Sequence, residues 1–575
     1  MTSRHWKIRP ADEATVETIA TQSKLPPPLA RVLVQRGFRT GEEIEGFINP
    51  RLAKLSDPFQ LPDMEKAASR LWKAIDGGEA VTVFGDYDVD GVTSAALLVR
   101  ILSALGANVH AFIPDRIDEG YGLSRDALER CLAEHGSSVV VTVDCGTNSV
   151  ETVAFAQGRN VDVIVTDHHE PDEQAAPAFA LINPKLADAP MLGSLSGVGV
   201  AFKLAHALVK RGRKENKPSA SCIDLRDYLD MVALGTVADI VPLVGENRII
   251  VRHGLAQLGR TKWPGLQALK DMVGVKGDPE TYHLGFQLGP RINAAGRIGQ
   301  PMQALQLLVT GDAGEARQIA KLLDDTNTER RRIEKEMADE AFAEIDGYFD
   351  PSTHFGLVVA REDWHPGVVG IVASRISRHY NRPAIVMGIR EDGSARGSCR
   401  GTDAYNLLDG LQACEACLTQ FGGHKMAAGL EVKPGFLDAF KRDFNLAVAS
   451  VLSDTDLSPV QCIDSVVSAD EINWDFFGKL RQLQPFGQNN PEPVWALQGI
   501  RVSGSPRVVG EKHLKLALIA GGRQFEAIAF NYPLDQFPGG EIDVAFTLKE
   551  NTWNGNTSLQ LQVQDIRPVG GSRPE

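Results

Sequence analysis

Three aspartates, Asp86, Asp88 and Asp90, alternate over one short turn. They follow an apolar run at 81–84 that reads as a buried strand, and they precede a stretch at 92–105 with the length and composition of a helix. Like charges crowded onto one turn repel, so the cluster persists only if it is solvated or if cations sit among its oxygens. The carboxyl end of a strand in an α/β sheet is where ligands bind, which favours the cations. Two further segments repeat the form: the apolar run 138–143 ends in Asp144, Cys145 and Gly146, and the run 161–166 ends in Asp167, His168 and His169. A fourth stretch, 234–242, sets Asp239 among apolar residues, where a carboxylate without a partner is costly. Mixed Asp and His ligands suit manganese, magnesium or zinc, and carboxylate-rich sets favour the harder ions. Five or six such groups exceed the needs of one ion. Two ions sharing a bridging carboxylate would use them all, and that arrangement activates water for attack on phosphorus. Asp86 is open between ligand and a residue that holds the turn through backbone amides. Asp167, just before the histidines, is placed to orient an imidazole.

These acids converge only if the elements carrying them are parallel strands. The interval between the apolar runs, roughly 20–30 residues, is that of a βα unit, and parallel strands would bring Asp88, Asp90, Asp144 and His168 to one edge of a sheet. Arg116, just past the apolar run 109–113, falls on the same edge and suits a phosphate. Arg291, Asn293 and Arg297 read as a glycine-rich, small-residue loop fit for bidentate phosphate contact, with salt bridging between domains as the alternative. Asp312 is expected to cap a long helix running to about residue 348, charged in its middle. Apolar strands near 355–360, 383–387 and 429–432 indicate a second α/β unit. Within it, Ser394, Arg396, Ser398 and Arg400 alternate around Gly397, and His424 follows two glycines that would let backbone approach a phosphate. From about residue 455 short alternating runs separated by Gly-Gly, Pro-Gly-Gly and Asn-Gly turns predict a small antiparallel barrel of the oligonucleotide-binding type. Phe486, Phe530 and Trp553 in that region could stack on bases, although barrel aromatics are more often core.

At 575 residues the chain exceeds a single core, and 43 % hydrophobic residues exclude wholesale disorder. No apolar run of membrane-spanning length occurs, the amino terminus does not read as a secretory signal, and seven scattered cysteines fit a reducing cytoplasm. Cys414 and Cys417 read as core rather than metal ligands. A net charge of −14 is awkward for a nucleic-acid enzyme, since phosphates want Lys and Arg. Part of the acidity is the cluster itself, and the rest must lie away from the substrate path. The basic run 210–214 reads as a solvated loop.

Taken in order, Asp-Tyr-Asp-Val-Asp at 86–90, Val-Asp-Cys-Gly at 143–146, Asp-His-His at 167–169 and Ala-Asp-Ile-Val-Pro at 238–242 resemble the metal-binding motifs of the DHH phosphoesterases. Within that family the pattern is most similar to the RecJ-type branch, bacterial exonucleases specific for single strands. The segments that carry this closer likeness are 114–116 with 119–122, 289–297, 365–375, 422–429 and 484–493. The resemblance implies an α/β protein with a parallel-sheet DHH catalytic domain at 51–311 behind a leader at 1–50. A connecting helix at 312–349, a smaller DHHA1-like α/β substrate domain at 350–452 and an oligonucleotide-binding barrel at 453–570 follow. It implies two divalent ions, manganese or magnesium, held by Asp86, Asp88, Asp90, Asp144, His168 and Asp239. His169 then contacts the substrate phosphate or assists the leaving group, and Arg297 stabilises charge on phosphoryl oxygens. Arg116, Arg291, Asn293, Ser394, Arg396 and His424 bind substrate. The implied activity is 5′-to-3′ hydrolysis of single-stranded DNA in repair and recombination, in the cytoplasm, with single-strand-binding protein and a helicase as partners and no membrane. Two alternatives stand beside it. A DHH phosphoesterase acting on short RNA, cyclic dinucleotides or polyphosphate would have little use for the carboxy-terminal barrel. A non-catalytic scaffold of the same fold would be marked by lost ligands, and here every motif is intact.

Overall fold

The computed structural model describes residues 4–115, 122–189, 191–275, 277–453, 457–510 and 512–569, without the side chain of Trp553. Arg116 and the segment 119–121 therefore lie outside the described residues. The chain divides into two units, Leu52–Leu457 and a second built from Met1–Arg51 together with Ser458–Glu575.

In the first unit, five parallel strands run in the spatial order Asn108–Phe112, Ala80–Gly85, Val139–Val143, Asp162–Thr166, Ala180–Ile182. All five residues of Val139–Val143 are buried, as expected of a sheet covered by helices on both faces. Its alternate side chains feed two cores: Val139, Val141 and Val143 pack with the helices Val89–Leu105 and Gly197–Lys214, and Val140 packs with Phe84, Val163 and Val165. Each such side chain contributes about 2 kcal/mol by leaving water. The chain places Asn108–Phe112 on one side of Ala80–Gly85 and Val139–Val143 on the other, so the strand order reverses between these last two. That switch point opens a crevice at the carboxyl ends, where the acids follow.

Asp312 caps the helix Ala313–Asp346 by accepting from Glu315 N at 2.6 Å. Two expectations in this unit are corrected. The run 210–214 is the last turn of the helix Gly197–Lys214, where positive charge complements the helix dipole; Lys210 pairs with Asp57 at 2.5 Å and Arg211 with Glu65 at 2.6 Å. The segment 289–297 is not a loop but the helix Gly289–Ile298, entered through Pro290 from the π-helical turn His283–Leu288. Its glycines serve close packing: a Cβ on Gly296 would lie 2.6 Å from Tyr87 O. Beyond the long helix stands a second five-stranded sheet, ordered Leu418–His424, Ala427–Val432, Ala395–Arg400, Ala384–Ile389, Leu357–Arg361, antiparallel except for the last pair. The Gly-Gly-His segment lies in its edge hairpin, and Ala395–Arg400 is a strand that apolar patterning could not reveal, since only Ala395 and Cys399 are buried.

The second unit contains a closed ring of five strands, Trp495–Val502, Glu541–Trp553, Asn556–Pro568, Arg523–Ala529 and His513–Ala520, sealed by pairing of the last with the first. One pair, Arg523–Ala529 with Asn556–Pro568, is parallel, so the barrel is not wholly antiparallel. Phe530 is half exposed and meets His513 edge-on, whereas Phe486 packs against the core. Residues from the first fifty pack into this unit. His5–Ile8 pairs with Val460–Ile463, and Ile19, Leu29, Leu33 and Ile44 from three short helices share one core with Trp495 and Phe546. The motif 484–493 is tied to those helices. Buried Asn490 donates to Leu483 O at 2.9 Å and Pro485 O at 2.7 Å, while Arg36 donates to Asn490 Oδ1 and to Pro491 O. Arg36 and Asn490 are 454 positions apart, which is why the amino-terminal segment reads as isolated in sequence.

Candidate active site

The register of the parallel sheet sets the geometry. Gly85 pairs with Val143 and Val143 with Thr166, so the next residues, Asp86, Asp144 and Asp167, emerge in a row. Asp88 caps the helix Val89–Leu105, accepting from Asp90 N at 2.9 Å and Gly91 N at 3.0 Å. Asp90 reaches across to the amino terminus of the helix Gly197–Lys214, where Gly197 N donates to Oδ2 at 2.7 Å and Val198 N to Oδ1 at 2.8 Å. Asp144 has φ +61°, a left-handed conformation that aspartate adopts more readily than most residues other than glycine. Its carboxylate lies against Gly197, where a Cβ would come within 2.6 Å of Asp144 Oδ1. Asp239 is the C-cap of the helix Leu229–Ala238.

His168 stands in the middle. Its Nε2 lies 3.1 Å from Asp144 Oδ1, 3.5 Å from Asp239 Oδ2 and 3.9 Å from Asp90 Oδ2. Ligand-capable atoms of Asp86, Asp88 and Asp144 form one close group, and those of Asp90, His168 and Asp239 another; Asp144 also groups with His168 and His169. The three atoms at the centre, Asp144 Oδ1, His168 Nε2 and Asp239 Oδ2, are buried without a hydrogen-bond partner. Electrostatics express the same crowding. Burial, then Asp88, pushes Asp90 up to about 7. Burial, then Asp90, pushes Asp239 up to about 9. Asp144 is raised well above the usual carboxylate range by burial and then by Asp90 and Asp88. Burial, then His169, takes His168 down to about 3, so it offers a neutral imidazole.

Asp167 points the other way. Burial disfavours its charge, but hydrogen bonds from His169 Nδ1 at 2.7 Å and Thr147 N at 2.9 Å hold it below the usual range. It also accepts from the backbone N–H groups of both histidines, at 2.7 and 3.2 Å. His169 is disfavoured as a cation by burial and raised on balance by the Asp167 carboxylate.

The arginine-bearing helix Gly289–Ile298 braces this loop. Asn293 Oδ1 accepts from Val89 N at 3.2 Å. Arg291 is held by Asp324 at 2.8 Å and by Gln287 O at 2.6 Å, and Arg297 donates to Gly367 O at 3.0 Å, linking the metal-side domain to the second sheet. A cleft of about 810 Å³ lies over that sheet, with Tyr87, Trp364, Arg390, Arg396, Ser398 and Arg400 among its lining residues. Ser394 and His424 are not among them. Ser394 is buried in a turn, its Oγ donating to Asp392 Oδ1 at 2.6 Å, and His424 is exposed at the tip of the edge hairpin. The period of two along Ala395–Arg400 puts Arg396, Ser398 and Arg400 on one face, a signal present in the alternation itself. No such signal marks Tyr87 or Trp364, which reach the cleft only through the packing of separate elements.

With this geometry, comparison with known proteins is direct. Family models match in three places: the DHH family, N-terminal domain, at 80–236, the DHHA1 domain at 354–450 and the RecJ OB domain at 463–565. The chain is 37 % identical over 567 residues to the single-stranded-DNA-specific exonuclease RecJ of Bacillus subtilis, covering 97 % of this chain and 70 % of that protein. It is 36 % identical over 573 residues to the Escherichia coli enzyme of the same name, covering 96 % and 98 %. The chain belongs to the RecJ family. Among solved RecJ structures, the Thermus thermophilus protein in complex with Mn2+ matches with a TM-score of 0.84 at 32 % identity, covering 100 % of this chain and 82 % of that one. Its complex with Mg2+ matches with a TM-score of 0.78 at 30 % identity, covering 99 % and 79 %. The donor set fits such ions on its own evidence: carboxylate and imidazole atoms without hydrogen-bond partners face one another in a buried space.

Proposed function

We propose that the protein is a metal-dependent exonuclease that hydrolyses single-stranded DNA, with two divalent ions, manganese or magnesium, as cofactors. The observation that carries this reading is the trio of buried, unpartnered atoms on Asp144, His168 and Asp239, inside a cluster of seven potential ligands. Asp86, Asp88 and Asp144 would hold one ion and Asp90, His168 and Asp239 the other, with Asp144 between them. When bound, the two ions activate a water and offset charge on the phosphoryl oxygens.

The chain's own groups do the rest. Asp167 fixes the His169 ring through Nδ1, leaving Nε2 to hold a proton at the leaving oxygen. Arg297 and the Arg396, Ser398 and Arg400 face supply hydrogen bonds to the terminal phosphate. Arg291 and Asn293 support the site at one remove, through Asp324 and Val89 N. Arg297 joins the acid-bearing domain to the segment around Gly367, and in this reading one strand threads to the acids while a duplex is kept out. Degradation then starts at an end and releases mononucleotides. The 5′-to-3′ direction, a role in repair and recombination, a cytoplasmic location, and single-strand-binding protein and a helicase as partners are inferred from the resemblance alone. No described helix is long and apolar enough to cross a membrane.

The test uses purified protein, manganese or magnesium, and labelled strands with defined ends. Linear single strands should be consumed, while duplexes and circular single strands should persist. Rapid cutting of a circular single strand would refute the threading argument, and inertness toward every strand in both metals would refute the nuclease itself.

A further inference from the structure

The π-helical turn His283–Leu288 and Tyr282 just before it carry two aromatic side chains to the surface, where a globular protein normally hides them. Tyr282 is 56 % exposed and Phe286 68 % exposed. Their rings are stacked, with centroids 5.4 Å apart and planes 25° apart. Leu284 and Leu288 of the same turn are fully buried, so the exposure is directional. A π-helical turn is rare, persists mostly at functional sites, and re-aims side chains relative to an α-helix. Arg291 helps hold this one, donating to Gln287 O at 2.6 Å.

The position matters more than the exposure. At Gly289, where the π-turn becomes the helix Gly289–Ile298, a Cβ would lie 3.6 Å from Ala238 and 3.8 Å from Val89. Ala238 immediately precedes the candidate ligand Asp239, and Val89 lies between Asp88 and Asp90. Gly285 meets Val237 in the same way at 3.7 Å. Phe286 is three residues before Gly289, about one helical turn or 5 Å along the axis from that point of contact. Directly after Asp239 comes Ile240, 69 % exposed and at φ +60°. A β-branched residue in that conformation is a genuine outlier, held only where surrounding structure demands it. Apolar groups thus border a cluster that is otherwise all charge, on the side of the helix Leu229–Ala238.

We propose that Tyr282 and Phe286 form a stacking platform for the nucleobases next to the scissile phosphate. The inference rests on the nuclease reading above and adds a site for the part of the substrate that the acids and arginines cannot hold. Bases are neutral and flat, and stacking on an aromatic face tolerates any sequence, which suits an enzyme that must consume whatever strand it meets. The platform would keep the phosphate in register between successive cuts.

The experiment separates the two readings by measuring binding and hydrolysis independently. Binding is measured in EDTA with a thymidine oligonucleotide and with the same strand bearing abasic nucleotides near its end; hydrolysis is measured with manganese. The wild type should bind the intact strand more tightly than the abasic one. Phe286→Ala and Tyr282→Ala should each weaken intact-strand binding and raise KM by about tenfold, leave kcat nearly unchanged, and erase the preference over the abasic strand. Phe286→Trp, which keeps a stacking face, should restore the preference, and Phe286→Leu, which keeps only apolar area, should not. Hydrolysis with an undiminished base preference in both alanine variants would overturn the platform and leave the nuclease standing. A base preference lost in the variants without hydrolysis in the wild type would do the reverse.

Discussion

In the sheet containing Ala80–Gly85 the chemistry sits beyond the strand ends; in the sheet containing Ala395–Arg400 it lies on a strand's face. The first gathers Asp86, Asp90, Asp144 and His168 from segments far apart in sequence and buries the three acids, with His168 half-buried among them. Their charges are therefore coupled, and each raises the cost of ionising the next. The second spaces Arg396, Ser398 and Arg400 two residues apart at the wall of an open cleft. Arg400 donates to Ser398 Oγ at 2.6 Å, whereas Arg396 is exposed and stands apart from that pair. The comparison teaches that removing one group from the first sheet should disable the whole site, whereas removing one from the second should give a graded loss confined to one part of the substrate.

Replacing Asp144 is the severest test of this contrast. Asp144→Ala should lower hydrolysis by more than the roughly 10²- to 10³-fold cost of losing a single transition-state donor, because both candidate ion sites share that carboxylate. Calorimetry should find manganese binding lost, and binding of single-stranded DNA should survive. Near-normal turnover in the folded variant would end the shared-ligand account.

Gly197→Ala asks whether the coupling depends on backbone placement. The added Cβ would fall 2.6 Å from Asp144 Oδ1 at the point where Gly197 N also binds Asp90. Manganese affinity should fall by about 10- to 100-fold, as for other groups that orient ligands. An unchanged titration would mean that the helix terminus is incidental to the site.

Arg396→Ala probes the open sheet. Loss of a hydrogen bond to a charged group costs about 1.5–3 kcal/mol, so KM for strands with a terminal phosphate should rise by roughly 10- to 100-fold. Strands ending in hydroxyl should be affected less, and kcat little. An equal loss on both ends would show that the arginine does not read the phosphate.

The effect furthest from catalysis concerns a buried acid outside the cluster. Asp230 accepts from Thr261 Oγ1 at 2.6 Å, and burial raises it to about 6. A raised carboxyl contributes stability below the ordinary carboxylate range and loses that contribution as pH rises through about 6. Asp230→Asn should flatten the wild-type decline in stability between about pH 4 and 6, a change of at most about 3 kcal/mol, and leave manganese affinity alone. A melting series against pH reads the first outcome, and a changed metal titration would extend the coupled cluster to Asp230.

The sequence by itself determined the local facts. Period and composition marked the apolar strands, the capped helix after Asp312 and the acids at strand ends, because each depends on neighbours within a few residues. Alternation alone was enough to align Arg396 with Ser398 and Arg400. Tertiary structure decided what depends on distant partners. Residues 289–297 read as a loop because their glycines signal flexibility in isolation; folded, they are contact points of a helix pressed against Tyr87 and Val89. The first fifty residues read as a leader because the core they complete lies more than four hundred positions away. Ser394 shared the pattern of the binding face, but its own turn claimed its hydroxyl. Alternation in sequence states which residues share a face; only packing states where that face ends and what covers it.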